Sequence, residues 1–226
     1  MRFLSKILGV ILVLHVSLIL YTNHSFFFSK FDEVYWKDKY EHSQWKLPLS
    51  VRTLGDDGLY LYEGYRLIHG GDPTLLNAEV PPLGKYLIGA SILTLGNGHW
   101  YGFLTTTLAL LTFFFLSKFL LGNGLLALAV TTLVAADPLI TSQFPLTMLD
   151  SLQLLFLLVT FTLLLRGRLV LAGLAFGLFS ETKFPILGLP VAILACLFLW
   201  RTTRSVKKLL LFFTATTFAY LLTYTY

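Results

Sequence analysis

Two polar segments interrupt an otherwise apolar chain, and their side chains could carry chemistry. The first is the acidic pair Asp56 and Asp57, and the second is residues 79–85, which read Glu-Val-Pro-Pro-Leu-Gly-Lys. A carboxylate next to low-dielectric lipid is suited to act as a general base. A lysine can balance the negative charge that develops on a leaving group. Acids and a lysine held beside apolar helices therefore indicate chemistry at a membrane surface.

Further charged residues extend this set of candidates. Asp150 begins an apolar run, and an acid at such a boundary is costly enough to suggest a function. Lys85 and Lys183 are the basic residues best placed to meet a phosphate, with Arg66 as a third. Each also has a plainer explanation: the acidic pair could cap a helix, Asp150 could reach the interface, and the lysines could bind lipid headgroups.

The elements that must position these residues are membrane helices. The 226 residues are 56% hydrophobic and only 13% charged, and such a composition excludes a soluble core with a polar surface. Several apolar runs approach the ~20 residues that cross a bilayer, where backbone groups must pair internally. We predict an all-α membrane protein with about seven transmembrane helices, near residues 4–21, 101–120, 124–140, 151–165, 169–180, 186–200 and 209–225.

Lysine and arginine concentrate in alternate turns of this arrangement. With the N-terminus in the cytoplasm, the short inside segments carry nine of them: Arg2, Lys6, Lys118, Arg166, Arg168, Arg201, Arg204, Lys207 and Lys208. The short outside turns carry only Lys183, and all twelve acidic residues fall outside or at the outer boundary. The positive-inside rule therefore predicts a multi-pass protein of the plasma membrane or ER with a cytoplasmic N-terminus.

The chain divides into three predicted regions. Residues 1–21 form a retained anchor helix, because no small-residue cleavage site follows them. Residues 22–100 form an extracytoplasmic loop with interfacial helices, and residues 101–226 form six further transmembrane helices. The loop should contain a helix over residues 58–69, capped by Asp56 or Asp57, and an apolar helix over 82–95. If that second helix crossed the bilayer, the basic turns would face outward, so we expect it to lie in the interface.

The acidic pair and the 79–85 segment together resemble the first lumenal or periplasmic loop of polyprenyl-phosphate-sugar-dependent glycosyltransferases of the GT-C fold. The similarity is greatest to the protein O-mannosyltransferases and the aminoarabinose-transferase-like enzymes. That family carries an acidic pair after its first membrane helix and then His-Pro-Pro-Leu-Gly-Lys. This chain has Val80 in place of the histidine, so the role of that histidine does not carry over.

The resemblance continues to about residue 200. Asp137-Pro138, Ser142-Gln143-Phe144 and Leu149-Asp150 resemble the family's Asp/Ser-Pro, Ser-Arg-Tyr and Leu-Leu-Asp pattern, with Gln143 replacing the family arginine. Lys183 resembles a lysine that the family places at the outer end of a helix. Asp32-Glu33 is a rival acidic pair, similar to the Asp-Glu-Val of the protein O-mannosyltransferases. Asp56-Asp57 fits the distance to the proline motif better.

The resemblance implies a membrane glycosyltransferase that moves a sugar, mannose-like, from a polyprenyl or dolichyl phosphate to an acceptor hydroxyl with inversion. It implies Asp56, Asp57 and Asp150 as catalytic residues, and Glu79, Lys85, Lys183 and Arg66 as substrate-binding residues. No cofactor is required, and a divalent metal is compatible but not indicated. The expected partners are the lipid-linked donor, a protein or glycan acceptor and the bilayer, together with a further C-terminal module, since family members usually have more helices.

Two other classes of function remain open. A lipid-linked-sugar binding or transport protein is the alternative, although a transporter should carry charges near the middle of the membrane and an inverted repeat. A purely structural membrane subunit would not need the ordered motifs. The net charge of +5 is too small to indicate nucleic-acid binding.

Overall fold

The computed structural model of the chain describes residues 2–223, and over these residues the protein is all-α, with no strand. A short 3₁₀ turn at Pro185–Leu187 accompanies the α-helices. The twelve helices are α1 Arg2–Thr22, α2 His24–Phe28, α3 Glu33–Glu41, α4 Asp56–Ile68, α5 Leu83–Leu95, α6 His99–Leu121, α7 Gly124–Ala135, α8 Pro138–Gln143, α9 Asp150–Leu165, α10 Leu169–Ser180, α11 Gly188–Thr203 and α12 Val206–Leu222.

A bundle of long apolar helices forms the body of the protein, with α6 on α9, α9 on α10 and α10 on α12. The starts of α6 and α9 are joined by a 2.6 Å hydrogen bond between the hydroxyls of Thr105 and Ser151. The α10 and α12 backbones approach closely because Gly173 and Gly177 lie directly against α12. Small residues at such a crossing allow van der Waals packing, which is the main source of helix association in a membrane.

The connections place opposite charges at the two ends of this bundle. We call the end formed by residues 22–100, 136–149 and 181–187 the acidic end, and the end formed by the 121–124, 165–169 and 203–206 turns the basic end. Every acidic residue lies in the first group of segments or, as Asp150 does, starts a helix there. The asymmetry that the sequence suggested is therefore a property of the folded chain, although which end faces the cytoplasm stays a prediction.

The helices α4 and α5 form a separate layer across the acidic end. They pack on each other closely because Gly64 lies against the Lys85 and Gly89 backbone, where a β-carbon would clash. The start of α5 meets the bundle at Leu149. Its far end is fixed by Asn97, whose amide donates to the Phe26 and Ser29 carbonyls. Both ends of α5 therefore lie at the acidic end.

The prediction of seven membrane spans is corrected by the helix lengths. Within residues 2–223, three helices are long and apolar enough to cross a membrane: Phe3–Thr22, His99–Leu121 and Pro185–Thr203. The other predicted spans are shorter apolar helices of 12 to 17 residues. The predicted helix 124–140 is divided because Asp137 accepts a hydrogen bond from Leu139 N and starts α8. Residues 224–225 of the last predicted span lie outside the described part of the chain.

The predicted cap of the 58–69 helix is also wrong. The helix begins at Asp56 with Gly55 as its N-cap, and neither carboxylate makes a side-chain capping bond. Both acids instead occupy the first turn, where a negative charge interacts favourably with the helix dipole. They are consequently free of the backbone bonding that a capping role requires.

Cysteine labelling will test the predicted orientation of the two ends. In a Cys196→Ser background, an impermeant maleimide should label Leu75→Cys in intact cells and Ser205→Cys only after permeabilisation. Leu75 is 80% exposed at the acidic end, and Ser205 lies in the last basic turn. Labelling of residue 205 alone in intact cells would reverse the predicted topology.

Candidate active site

The sequence-predicted acid Asp150 and the lysine Lys183 form one ion pair at the acidic end of the bundle. Lys183 Nζ donates to both carboxylate oxygens of Asp150, at 2.8 and 2.9 Å. Asp150 is the first residue of α9, and Lys183 follows the end of α10, so the antiparallel pair brings them together. The lysine is mostly buried, whereas the carboxylate is half exposed. A mostly buried ammonium and a half-exposed carboxylate therefore lie side by side at the acidic end.

The start of α4 lies against the loop that leads into this pair. Thr147 Oγ1 donates to the Asp57 carbonyl at 2.5 Å, which joins the first turn of α4 to the segment just before Asp150. Burial raises the pKa of the Tyr60 phenol, and the charges of Asp56, Glu63 and Asp150 raise it further. Negative charges from both α4 and α9 therefore act on the same tyrosine. The Asp56 side chain is half-buried and makes no hydrogen bond or ion pair with the described residues.

A cavity of about 560 Å³ opens beside Asp150. It lies between α6, α7, α8 and α9, and its walls are mainly aliphatic and aromatic, from Ala109, Leu110, Phe113, Val134, Leu139, Ile140, Leu154 and Leu158. Polar groups gather among its remaining lining residues. There, Gln143 Oε1 and Thr106 Oγ1 are buried and have no hydrogen-bond partner among the described residues. This lining suits a molecule with an apolar part and a polar part near Asp150.

The lysine of the proline motif has a different environment. Lys85 Nζ lies 3.3 Å from Glu63 Oε2, and each side chain is only 1% exposed. The ammonium also donates to the carbonyls of Leu76 at 2.8 Å and Asn77 at 3.0 Å. Burial raises the pKa of Glu63 and lowers that of Lys85, while their mutual attraction opposes both shifts. The pair joins α4, α5 and the turn before the prolines.

The structure does not bring the remaining predicted residues to the Asp150 pair. Glu79 is exposed on the turn between α4 and α5. Arg66 is half-buried in the last turn of α4, about 15 Å along that helix from Asp56 at 1.5 Å per residue. Of the rival pair, Asp32 caps α3 by accepting from Tyr35 N at 3.0 Å, and Glu33 begins that helix. Their predicted roles stay untested.

Sequence reasoning missed Glu63 and Tyr60. The position of Glu63 could have been recognised from the sequence, because it lies between the apolar run Leu59–Tyr62 and Gly64. An acid that is buried with its apolar neighbours needs a charged or hydrogen-bonding partner. Tyr60 could not have been singled out from the sequence, since aromatic residues are common throughout this chain. Among residues 2–223 there is no group of three or more His, Cys, Asp or Glu side chains that could hold a metal ion.

The chain matches no protein-family model, no curated protein and no solved structure. The function must therefore be argued from the geometry and from the motif resemblance.

Proposed function

We propose that the chain is a membrane glycosyltransferase that moves a sugar, mannose-like, from a polyprenyl or dolichyl phosphate to an acceptor hydroxyl on the extracytoplasmic face. The observation that carries this proposal is the position of Asp150, which pairs with Lys183, in the lining of the apolar cavity. A lipid-linked sugar has the same order of parts: an apolar chain, an anionic phosphate and a polar sugar.

Each part of the donor has a candidate contact. The isoprenoid chain would occupy the cavity between α6 and α9. The phosphate would lie near Lys183, whose positive charge is balanced at rest by Asp150 and would stabilise the leaving phosphate. The sugar would then lie between Asp150 and the start of α4, where Asp56 offers a half-buried carboxylate. Glu79, Lys85 and Arg66 have no contact in this arrangement.

The proposed reaction is a direct displacement with inversion. The acceptor oxygen forms a bond to the anomeric carbon as the bond from that carbon to the phosphate oxygen breaks. The electron pair of the broken bond leaves with the lipid phosphate beside Lys183, and the acceptor proton passes to the Asp56 carboxylate. Asp57 would hold α4 against the 144–149 loop through its carbonyl, and Asp150 would orient Lys183.

The membrane arrangement is part of the same proposal. We infer that α7, α9, α10 and α12 pack against the three longer helices within the bilayer. Their mainly apolar surfaces and their packing into one bundle support this assignment. Helices shorter than the hydrocarbon thickness can be accommodated by local thinning of the bilayer. The basic end would then face the cytoplasm.

A cavity-filling substitution will test the proposal. In proteoliposomes supplied with dolichyl phosphate [¹⁴C]mannose and an acceptor peptide, Leu154→Trp should lower donor binding and transfer about tenfold or more, because the indole occupies cavity volume. Leu133→Trp on the exposed face of α7 is the matched control and should leave both unchanged. Unaltered binding and transfer in Leu154→Trp would show that the donor does not bind in the cavity.

The same assay separates the alternative function. A protein that binds or transports lipid-linked sugar without catalysis should also bind the labelled donor less tightly in Leu154→Trp. It should leave the label on the lipid. Transfer to the acceptor supports the enzyme, whereas Leu154-dependent binding without transfer supports the alternative.

A further inference from the structure

The loop of residues 45–52, between α3 and α4, exposes aliphatic side chains at its tip. Leu49 is 98% exposed and Val51 is 94% exposed, and Leu47 is half exposed. None of the three belongs to a helix, so their exposure is not that of a lipid-facing membrane helix. A contiguous exposed apolar patch is typical of a site that contacts another protein or a membrane.

The base of the 45–52 loop is firmly held, so its tip is presented outward by the fold. Trp45 Nε1 donates to the Leu54 carbonyl at 2.8 Å. The Gln44 amide pairs with the backbone of Leu54 in both directions, at 2.8 and 2.9 Å. Leu54 stands two residues before Asp56, so the loop emerges beside the candidate active site.

The charged residues that flank the apolar tip are basic. Lys46 and Arg52 bracket residues 47–51, which contain no charged side chain. Arg52 lies 3.5 Å from Asp38, but both side chains are more than half exposed, and such surface pairs are weak. The Lys46 ammonium lies 5.6 Å from the centre of the Tyr40 ring. An apolar tip between two cations complements an anionic lipid surface, where the cations meet headgroups and the tip enters the acyl region.

We propose that the 45–52 loop docks on the anionic lipid surface of the bilayer that holds this chain, with Leu49 and Val51 inserted below the headgroups. The tryptophan at its base fits the interfacial preference of amphipathic aromatic rings. Docking would hold the start of α4, and with it Asp56, at the level of the headgroups. The proposal does not depend on sugar transfer, because it concerns only where the loop lies.

Fluorescence quenching in reconstituted vesicles will test it. The full chain with Cys196→Ser and Leu49→Cys is labelled with an environment-sensitive NBD group and placed in vesicles of phosphatidylcholine with phosphatidylglycerol. We expect quenching by nitroxide-labelled lipids and roughly a twofold rise in emission over vesicles of phosphatidylcholine alone. Leu75→Cys is the control, since it is 80% exposed on a turn that carries Asp72 and Glu79, and it should be quenched by aqueous iodide instead.

The double variant Lys46→Gln/Arg52→Gln tests the contribution of charge, and it should abolish the difference between anionic and zwitterionic vesicles. Quenching of residue 49 by iodide to the same degree as residue 75 would overturn the proposal, because the loop would then lie in water. Protection from both quenchers would also overturn it, since protein would then cover the tip. A full anionic-lipid response in the double variant would overturn the proposed role of the two cations.

Discussion

Replacement of Asp56 by asparagine is expected to lower sugar transfer about 100-fold or more while the protein stays folded, which is the usual scale for loss of a general base. The asparagine keeps the shape of the side chain but cannot accept the acceptor proton. The structural cost should be small, because the carboxylate makes no capping bond and only its interaction with the helix dipole, about 0.3–1 kcal/mol, is lost. The measurement is transfer of labelled mannose in proteoliposomes, with the melting temperature of each variant recorded.

Asp32→Asn is the matched control for this experiment. Asp32 caps α3, and asparagine caps a helix about as well as aspartate, so this variant should retain both its stability and its transfer rate. Near-normal transfer by Asp56→Asn together with loss of transfer in Asp32→Asn would move the site to the earlier acidic pair. Unfolding of Asp56→Asn would instead assign the carboxylate a structural role.

The second large effect is expected on stability. Removing either partner of the buried Glu63–Lys85 pair should reduce the free energy of unfolding by about 3–5 kcal/mol, because it leaves the other charge without compensation in a dry site. The turn formed by Leu76 and Asn77 should also loosen in Lys85→Met, since it loses two hydrogen bonds. Thermal unfolding in detergent, followed by tryptophan fluorescence, measures both effects.

The two single variants should respond to pH in opposite directions. In Lys85→Met, burial still raises the Glu63 pKa and the opposing lysine is gone, so the folded state holds a proton that the unfolded state loses. Its stability should therefore fall as pH rises from 5 towards 8. In Glu63→Gln, burial still lowers the Lys85 pKa and the opposing carboxylate is gone, so the folded state binds fewer protons than the unfolded state and stability should rise with pH.

The double variant Glu63→Gln/Lys85→Met is the control, because it removes both charges. It should be more stable than either single variant and should show neither of these two pH trends relative to the unsubstituted protein. A loss in the double variant equal to the sum of the two single-variant losses would show that the two groups do not act as a pair.

Helix type and order could be predicted from the sequence because hydrophobic runs and breakers are local signals. The helices over 82–95 and 169–180 appear almost where the pattern places them. The break at Asp137 was harder to see, since the residues on both sides of it are apolar. The number of long helices was overestimated because an apolar run does not reveal where a tight turn will end it.

The candidate site could be predicted only in part. The contact between Asp150 and Lys183 joins residues 33 positions apart, and their charges made each of them a candidate. Lys85 was equally prominent in the sequence, but its burial against Glu63 depends on how α4 packs on α5. The sequence identifies which residues carry charge, whereas the packing of helices decides which of those charges remain accessible.

The histidine in the middle of α1 has a consequence for how the protein is assembled. His15 Nε2 lies 3.0 Å from the Ala135 carbonyl and 3.3 Å from Thr141 Oγ1, groups more than 100 residues later in the chain. During synthesis α1 is therefore complete long before the ribosome has made its polar partners. An imidazole in hydrocarbon without a partner is costly. We therefore expect a membrane-inserted α1 to stay in contact with the translocon until α7 and α8 have been made. His15 thus makes the final packing of α1 depend on helices that are synthesised later.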